Sequence, residues 1–438
     1  DEVRAFDYKL FAQDMFSKWA HSMVAAIRST GSRQLIDVGQ DEGGVTNRVL
    51  NQFYGGSGVS FTTDHTYWQD DALLWDSVVA KRPGIPNITG ETGYQPVWRP
   101  DGEWRYDEIT GLGLLERKWA LGFADGTSGA LQWDWAREPY FGMLRSDSSS
   151  KLAEDQMMRM GEFAKKTAPY ATQLIMPDVA IVLPQSLQFS VFNPSAIEAQ
   201  QNCVRALYQY ARSEAYAVGE YQIGLLGNPK LIILPSPWVF SQHAWETILE
   251  KVRSGATLLV TGRFDDDPHF HLTGRQKDAG INYQPGLLAA REIPISLPGE
   301  TERLSFPGDE TTYLERAFLP GGKTFDQQQL GKGKIIFIPL PIELNSNLEA
   351  VGDIYRYALS AAGASPVYTT ALRDPGILIC PTRFPDATLY VLTSESTGKQ
   401  VSFRDKVSGK EFTGQIDPGR AALLLVGHQG QMLASYNW

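Results

Sequence analysis

Cysteine and histidine are scarce in this chain of 438 residues, which holds two cysteines and six histidines. Cys203 lies in a helical pattern and Cys380 in an apolar strand, so both are predicted to be small core residues. A disulfide between them has no support, and no Cys/His spacing typical of zinc occurs. The scarcity argues against a zinc site and leaves the cellular compartment open.

Long apolar runs and an excess of positive charge are also missing. No run of 18 apolar residues occurs, so nothing in the sequence is predicted to span a membrane. The formal net charge is -10, and no basic stripe balances it. This charge argues against a nucleic acid or an anionic membrane as partner and fits a neutral substrate better.

Aromatic residues are plentiful, at 11% of the chain. Flat rings suit stacking on sugar faces as well as core filling. Hydrophobic residues make up 42% and charged residues 21%, as in an ordinary globular protein. The length exceeds one ordinary core, so two to four domains are expected.

Strands and helices alternate over the first 175 residues. An amphipathic helix is predicted over 7–29, with apolar residues recurring every fourth position on one face. Four strand and helix units follow: the predicted strands lie at 34–39, 59–63, just before Glu91, and at 129–135. Helices are predicted over 70–81, 106–122 and 151–167. This alternation predicts a parallel sheet covered by helices.

Counting the units indicates half of a (β/α)8 barrel in residues 1–175. A complete barrel needs eight units and about 200 residues or more. Half a barrel leaves two parallel edges open and should not stand alone. We therefore expect the first half from upstream sequence, another chain or a symmetry mate.

The remaining chain predicts two further domains. Residues 176–366 continue the strand and helix alternation and favour an open, flavodoxin-like α/β sheet. Within it, residues 265–330 are rich in Pro and Gly and are predicted to be mostly irregular. Residues 367–438 contain only short strands separated by turn residues, which predicts a small β-sandwich.

Chemistry-bearing residues follow the four strands of the first domain. Asp41 and Glu42 follow the first strand, and His65, Tyr67 and Trp68 follow the second. Glu91 ends the third, between Gly90 and Thr92-Gly93, and Trp133 lies at the end of the fourth. Carboxyl ends of barrel strands converge on the catalytic face. Retaining glycoside hydrolysis needs an ionised nucleophilic carboxylate there, which makes Glu91 the candidate nucleophile.

These motifs resemble the clan A glycoside hydrolases, which are (β/α)8 enzymes that retain anomeric configuration. The resemblance covers roughly residues 33–136. In that clan the nucleophile Glu ends strand seven, strand six ends in His-x-Tyr, and strand eight carries a Trp. Gly90-Glu91-Thr92-Gly93, His65-Thr66-Tyr67 and Trp133 match these positions, with site motifs closest to family 5.

The domain order resembles glycoside hydrolase family 42, the β-galactosidases with an amidotransferase-like trimerisation domain and a small β-domain. It implies a homo-oligomer through the middle domain and no cofactor. In the clan the acid/base is the Glu of an Asn-Glu pair ending strand four. Glu2 follows Asp and has no strand before it, so the resemblance places the proton donor upstream of Asp1.

Several interpretations stay open. Glu91 is also compatible with a helix-capping or ion-paired carboxylate, His65 with a structural histidine, and Trp133 with ordinary core. Asp41 and Glu42 fit either substrate contact or a solvated loop. The predicted function is a β-galactosidase, β-mannosidase or β-glucosidase. The alternative is a non-catalytic carbohydrate-binding or assembly protein on a decayed barrel. The run Asp265–His271 is explained as well by an acidic loop as by a metal site, and no metal is predicted.

Overall fold

The computed structural model describes residues 2–39, 51–66, 75–93, 107–135, 137, 144, 147–149, 152–287, 292–306, 315–396, 398 and 400–438. The chain divides into two compact units. The first comprises Asp1–Arg33, Arg48–Gly58 and Pro177–Ser365, and the second comprises Gln34–Asn47, Val59–Met176 and Pro366–Trp438. Helix α1, predicted to belong with the barrel half, lies in the first unit. The three-domain division stays a prediction.

The described α-helices are α1 (Glu2–Ser29), α2 (Asn51–Tyr54), α3 (Glu108–Leu121), α4 (Leu152–Thr167), α5 (Gln185–Gln188), α6 (Asn193–Arg205), α7 (Gln242–Ser254), α8 (Arg275–Ala279) and α9 (Leu348–Ala362). Two π-helical segments, Trp75–Ala80 and Ala206–Ala211, accompany them. No helix within the described ranges is both long enough and apolar enough to cross a bilayer.

The strands of the first unit are β4 (Val179–Leu183), β5 (Tyr216–Gly219), β6 (Leu231–Leu234), β7 (Thr257–Thr261), β8 (Gln284–Leu287), β9 (Glu292–Leu297), β10 (Glu300–Ser305), β11 (Glu315–Phe318), β12 (Asp326–Leu330) and β13 (Gly333–Ile338). The strands of the second unit are β1 (Thr62–Thr66), β2 (Asn87–Thr92), β3 (Ala130–Gln132), β14 (Tyr368–Thr369), β15 (Ile377–Arg383), β16 (Ala387–Ser394), β17 (Gln400–Asp405), β18 (Glu411–Gln415), β19 (Ala421–Gly427) and β20 (Met432–Tyr436).

A six-stranded sheet forms the centre of the first unit, in the order β12-β13-β7-β6-β4-β5. All neighbours pair in parallel except β12, which pairs antiparallel with β13. The parallel strands thus follow the flavodoxin-like order 2-1-3-4-5, with the switch point between β4 and β6. Strands β4, β6 and β7 are buried throughout, as expected of a parallel sheet covered on both faces.

Helix α7 shows why these residues form a helix against that sheet. The Ser241 side chain accepts a hydrogen bond from the Ala244 amide and caps the first turn. Trp245, Ile248 and Val252 recur on one face and are fully buried. Each such side chain contributes about 1.5–3 kcal/mol by leaving water. The helix ends at Gly255, whose φ of 132° disfavours a side chain.

Two buried carboxylates join strand ends in this unit. Glu343 accepts hydrogen bonds from the hydroxyl groups of Ser236 and Thr261, which follow β6 and end β7, and from Tyr355 on α9. Glu220, which follows β5, accepts from the amide and hydroxyl of Ser186. These bonds satisfy polar groups that would otherwise be costly to bury.

The second unit contains a parallel three-stranded sheet, in the order β1-β2-β3. It also contains two antiparallel sheets, β15-β16-β19-β20 and β14-β17-β18. Their core includes Tyr390, Val401, Phe403 and Leu424, all fully buried or nearly so. Helix α3 packs on β16 and β19. The two antiparallel sheets contain short strands of the predicted range 367–438, and a separate β-sandwich domain stays a prediction.

Buried polar contacts attach α3 to the segments that flank the antiparallel strands. Glu116 on α3 is fully buried, and its carboxylate pairs with Arg420 and accepts from Asn437. Arg117 donates to the Gly419 carbonyl. The helix is therefore fixed to the β-sheet through charge as well as through apolar packing.

Three expectations differ from the structure. Residues 34–39 do not form a strand, although Thr63 on β1 donates to Asp37 at 3.2 Å. Residues 265–330 are not mostly irregular, because β9 pairs with β10 and β8 with β11 in antiparallel ladders. Pro298 and Gly299 form the turn between β9 and β10, whereas Pro285 and Gly286 lie within β8 and Pro294 within β9. Composition alone does not distinguish such short strands from loop.

The third difference concerns the apolar face of α1. The residues predicted to line one face are all exposed: Phe11 58%, Met15 46%, Trp19 51%, Met23 45% and Ile27 37%. Phe6, Ala20 and Val24 are the buried residues of the helix. Periodicity identified the apolar face correctly, but a different face meets the rest of the first unit.

Candidate active site

The candidate site begins with a pair of side chains on adjacent parallel strands. His65 on β1 and Glu91 on β2 are partners in the ladder, and the Nδ1 atom of His65 lies 3.4 Å from Oε2 of Glu91. Both side chains are 24% exposed. A carboxylate and an imidazole at this distance, each about a quarter exposed, can be reached by a ligand as well as by each other.

A β-bulge brings the two side chains opposite each other. The register runs Asp64 to Thr89 and then His65 to Glu91, so Gly90 has no counterpart on β1. Bulges re-aim side chains and are common beside active sites. A Cβ atom at Gly90 would lie 2.8 Å from the Cβ of Thr63, so only glycine allows the strands to approach this closely.

A buried polar layer lies on the same two strands. The Thr62 hydroxyl donates to Oδ1 of Asn87 at 2.7 Å, and the Asn87 amide donates to Oδ1 of Asp64 at 3.4 Å. All three residues are fully buried. Because buried polar groups hold one another in fixed geometry when bonded, this layer fixes the strand segments that carry the His65–Glu91 pair.

The third strand adds an aromatic group at the same end of the sheet. The Trp133 amide donates to the Thr92 carbonyl at 2.8 Å, one residue past β3 and one residue past Glu91. Trp133 is 49% exposed, and its peptide bond to Asp134 is cis. The indole is therefore available as a flat surface at the carboxyl end of β3.

The structure brings His65, Glu91 and Trp133 to the carboxyl ends of three neighbouring strands. Asp41, Glu42, Tyr67 and Trp68 lie outside the described residues. Sequence reasoning missed the layer beneath the pair, although Asn87 had one signal: it sits in an Asn-x-Thr pattern on a strand that must be buried. Among the described residues, no group of three His, Cys, Asp or Glu side chains could hold a metal ion.

The sequence matches no family model and none of the curated proteins. Solved structures do match. Gan42B, a GH42 β-galactosidase from G. stearothermophilus, aligns over 97% of this chain and 68% of its own length, with a TM-score of 0.71 and 13% identity. The cold-adapted β-galactosidase of Rahnella sp. R3 aligns over the same shares, with a TM-score of 0.73 and 11% identity.

A third match is the exo-β-1,4-mannosidase Op5Man5 from an Opitutaceae bacterium, strain TAV5. It aligns over 80% of this chain and 69% of its own length, with a TM-score of 0.53 and 15% identity. These likenesses show that the chain has a clan A, family 42-like glycoside hydrolase fold. The chain spans about two thirds of the length of each of these three proteins.

Proposed function

We propose that the protein is a retaining glycoside hydrolase acting on β-linked sugars, with Glu91 as nucleophile. The observation that carries this proposal is the His65–Glu91 pair at the carboxyl ends of parallel strands β1 and β2. The carboxyl ends of strands are where enzymes on this kind of sheet place their catalytic groups. The glycoside hydrolase fold agrees with the chemistry.

In the first step an oxygen of Glu91 attacks the anomeric carbon. A bond forms between that carbon and Glu91, the bond to the leaving oxygen breaks, and a general acid delivers a proton to the leaving oxygen. In the second step water, deprotonated by the same acid/base group, displaces Glu91 and releases the sugar. His65, whose Nδ1 lies 3.4 Å from Oε2 of Glu91, orients that carboxylate toward the sugar, while Trp133 offers an apolar wall to the ring.

The general acid is proposed to come from a segment or chain that supplies the first half of the barrel. No Asn-Glu pair occurs before or within α1, and Glu2 lies in the first turn of that helix instead of at a strand end. The acid must approach Glu91 to about 5–5.5 Å in a retaining enzyme. Contacts between copies through the middle domain are proposed on the likeness to family 42.

β-Galactosides are the first substrates to test, because Gan42B and the Rahnella protein are β-galactosidases. β-Mannosides come next, because Op5Man5 is an exo-β-1,4-mannosidase. β-Glucosides complete the set. Hydroxyl selectivity resides in loops around the strand ends, so the fold does not decide among these sugars.

The decisive experiment labels the nucleophile with 2,4-dinitrophenyl 2-deoxy-2-fluoro-β-D-galactoside and its manno and gluco counterparts. Dinitrophenolate leaves without protonation, so the test depends on the nucleophile and not on the acid. Fluorine at C2 slows the second step, and the glycosyl-enzyme accumulates. We expect the label on the peptide that contains Glu91, identified by mass spectrometry.

The matched control is Glu300→Gln, which changes an exposed glutamate on β10. Glu91→Gln should lose the label and Glu300→Gln should keep it. Label on a different carboxylate, or unchanged turnover of dinitrophenyl glycosides by Glu91→Gln, would refute the assignment. Sugar binding with no label in any protein would favour the non-catalytic alternative.

A further inference from the structure

A cluster of three aromatic side chains lies in the first unit, on the connections that follow strands of the α/β sheet. The ring centroids of Phe192 and Trp238 are 4.9 Å apart, those of Trp238 and Phe270 6.0 Å, and those of Phe192 and Phe270 6.1 Å. All three are partly exposed. We call Phe192, Trp238 and Phe270 the aromatic cluster.

The cluster stands at the switch point of the doubly wound sheet. Phe192 follows β4 and α5, Trp238 follows β6, and Phe270 follows β7. Strands β4, β6 and β7 are adjacent in the sheet. From β4 the chain adds β5 on one side and then β6 and β7 on the other, so the switch point lies between β4 and β6. In open α/β sheets, the crevice outside the carboxyl ends at this point is where ligands bind.

Two charged side chains lie directly beside the central ring. The guanidinium carbon of Arg263 lies 5.2 Å from the centre of the Trp238 ring. Asp266 accepts from the Trp238 indole N–H at 2.8 Å and from Arg263 at 3.2 Å. Arg263 and Asp266 are 8% and 6% exposed. Small-molecule sites are typically lined by aromatic side chains together with a few fixed hydrogen-bonding groups.

The backbone at Phe270 is held in an unusual conformation. Its φ is 63°, in the left-handed region that a bulky residue rarely adopts. Asp267 holds the turn: its carboxylate accepts from the amides of His269 and His271, and its carbonyl accepts from Phe270. Strain of this kind costs about 1–3 kcal/mol and concentrates at ligand-binding positions.

We propose that the aromatic cluster is a second, non-hydrolysing saccharide-binding site of the protein. The rings offer flat apolar surface to the C–H faces of a pyranose. Asp266 and Arg263, which contact Trp238 and each other, hold the central ring in its orientation. The choice of a saccharide as ligand rests on the proposed glycosidase function, and the site itself rests on the geometry of the first unit.

The test is affinity electrophoresis of the intact chain in native gels containing soluble β-1,4-galactan or galactomannan. The parent protein carries Glu91→Gln and Trp133→Ala, so that the candidate active site contributes neither turnover nor its aromatic wall. We expect the parent to be retarded by one of the two polysaccharides. Adding Trp238→Ala should abolish the retardation.

Phe270→Gly is the second variant, because glycine accepts a φ of 63° without strain and so removes the ring while favouring the fold. It should abolish retardation as well. Trp135→Ala is the matched control, because Trp135 is 56% exposed and outside the aromatic cluster. It should leave retardation unchanged.

Equal retardation of the parent, Trp238→Ala and Phe270→Gly would overturn the proposal. So would a parent that neither polysaccharide retards, or a loss of retardation explained by a change in oligomeric state of the two variants. Labelling of Glu91 is measured separately on the unmutated chain. A failed label with intact retardation therefore removes the glycosidase assignment alone, and the converse removes the second site alone.

Discussion

His65 stands opposite Glu91 because Gly90 is skipped in the pairing of β1 with β2. Without this bulge, His65 would face Gly90 and the carboxylate would lie one ladder position further along. The candidate pair thus depends on a residue that bears no side chain. This dependence leads to the first prediction.

Gly90→Ala should destabilise the second unit by about 1–3 kcal/mol, as overpacking of a tight contact does. The added Cβ would meet the Cβ of Thr63 at 2.8 Å, and neither atom can rotate away. Chemical denaturation would measure the change. Gly161→Ala in α4 is the control: its Cβ meets nothing within 4 Å, so a gain of about 0.5–1 kcal/mol is expected from helix propensity. Equal effects of the two substitutions would contradict the close approach at Gly90.

His65→Ala should reduce kcat for a β-glycoside by roughly 10²-fold or more, as loss of a positioned proton-donor group does. The reason is that Glu91 loses the group 3.4 Å from its Oε2 atom. His65→Asn retains an N–H donor and should recover part of the rate. Unchanged kcat in His65→Ala would assign His65 a structural role.

Glu220 should make the first unit less stable as pH rises from 4.5 to 7. Burial raises the pKa of Glu220 to about 7, against the opposing effect of hydrogen bonds from Ser186 and Ser241 and the charge of Arg275. The folded state therefore binds a proton that the unfolded state has already released, so this contribution is complete below pH 4.5 and lost as pH passes 7.

The expected loss across that window is about 3 kcal/mol, from a shift of this size at 1.36 kcal/mol per unit of pKa. Hydrogen exchange of the β4 and α7 amides at pH 5 and pH 7.5 would measure it. Glu220→Gln cannot titrate and should show a smaller difference between the two pH values. A difference as large as that of the unmutated protein would place the titration elsewhere.

Arg420→Met should destabilise the second unit by about 3–5 kcal/mol, because it leaves the fully buried Glu116 carboxylate without its cation. The double variant Glu116→Met with Arg420→Met removes both charges and should regain most of that loss. Thermal unfolding of the three proteins forms the comparison. A double variant no more stable than Arg420→Met would show that packing, and not the uncompensated charge, accounts for the loss.

The sequence predicted elements well where the signal is local. Helix α4 spans Leu152–Thr167 against a predicted 151–167, since an amphipathic pattern marks its whole length. His65, Glu91 and Trp133 were found because they follow predicted strands directly. The bulge at Gly90 could not be predicted from the sequence, since the register of β1 against β2 depends on pairing between segments distant in sequence.

The sequence also could not predict that Ser236, Thr261 and Tyr355 donate hydrogen bonds to one carboxylate, that of Glu343. Each residue alone is an ordinary polar group near the end of an element. Only the strand order brings them to one carboxylate. The aromatic cluster was missed in the same way, because its three rings come from three separate connections.

The outward-facing apolar side of α1 has a practical consequence for handling the protein. Phe11, Met15, Trp19, Met23 and Ile27 present a row of hydrophobic side chains along most of a 28-residue helix. Water tolerates such a surface poorly, and concentrated solutions of this chain should scatter light and stick to apolar resins. The exposed apolar face of α1 therefore calls for purification at low concentration with a mild detergent. It also calls for a dilution series in every binding assay.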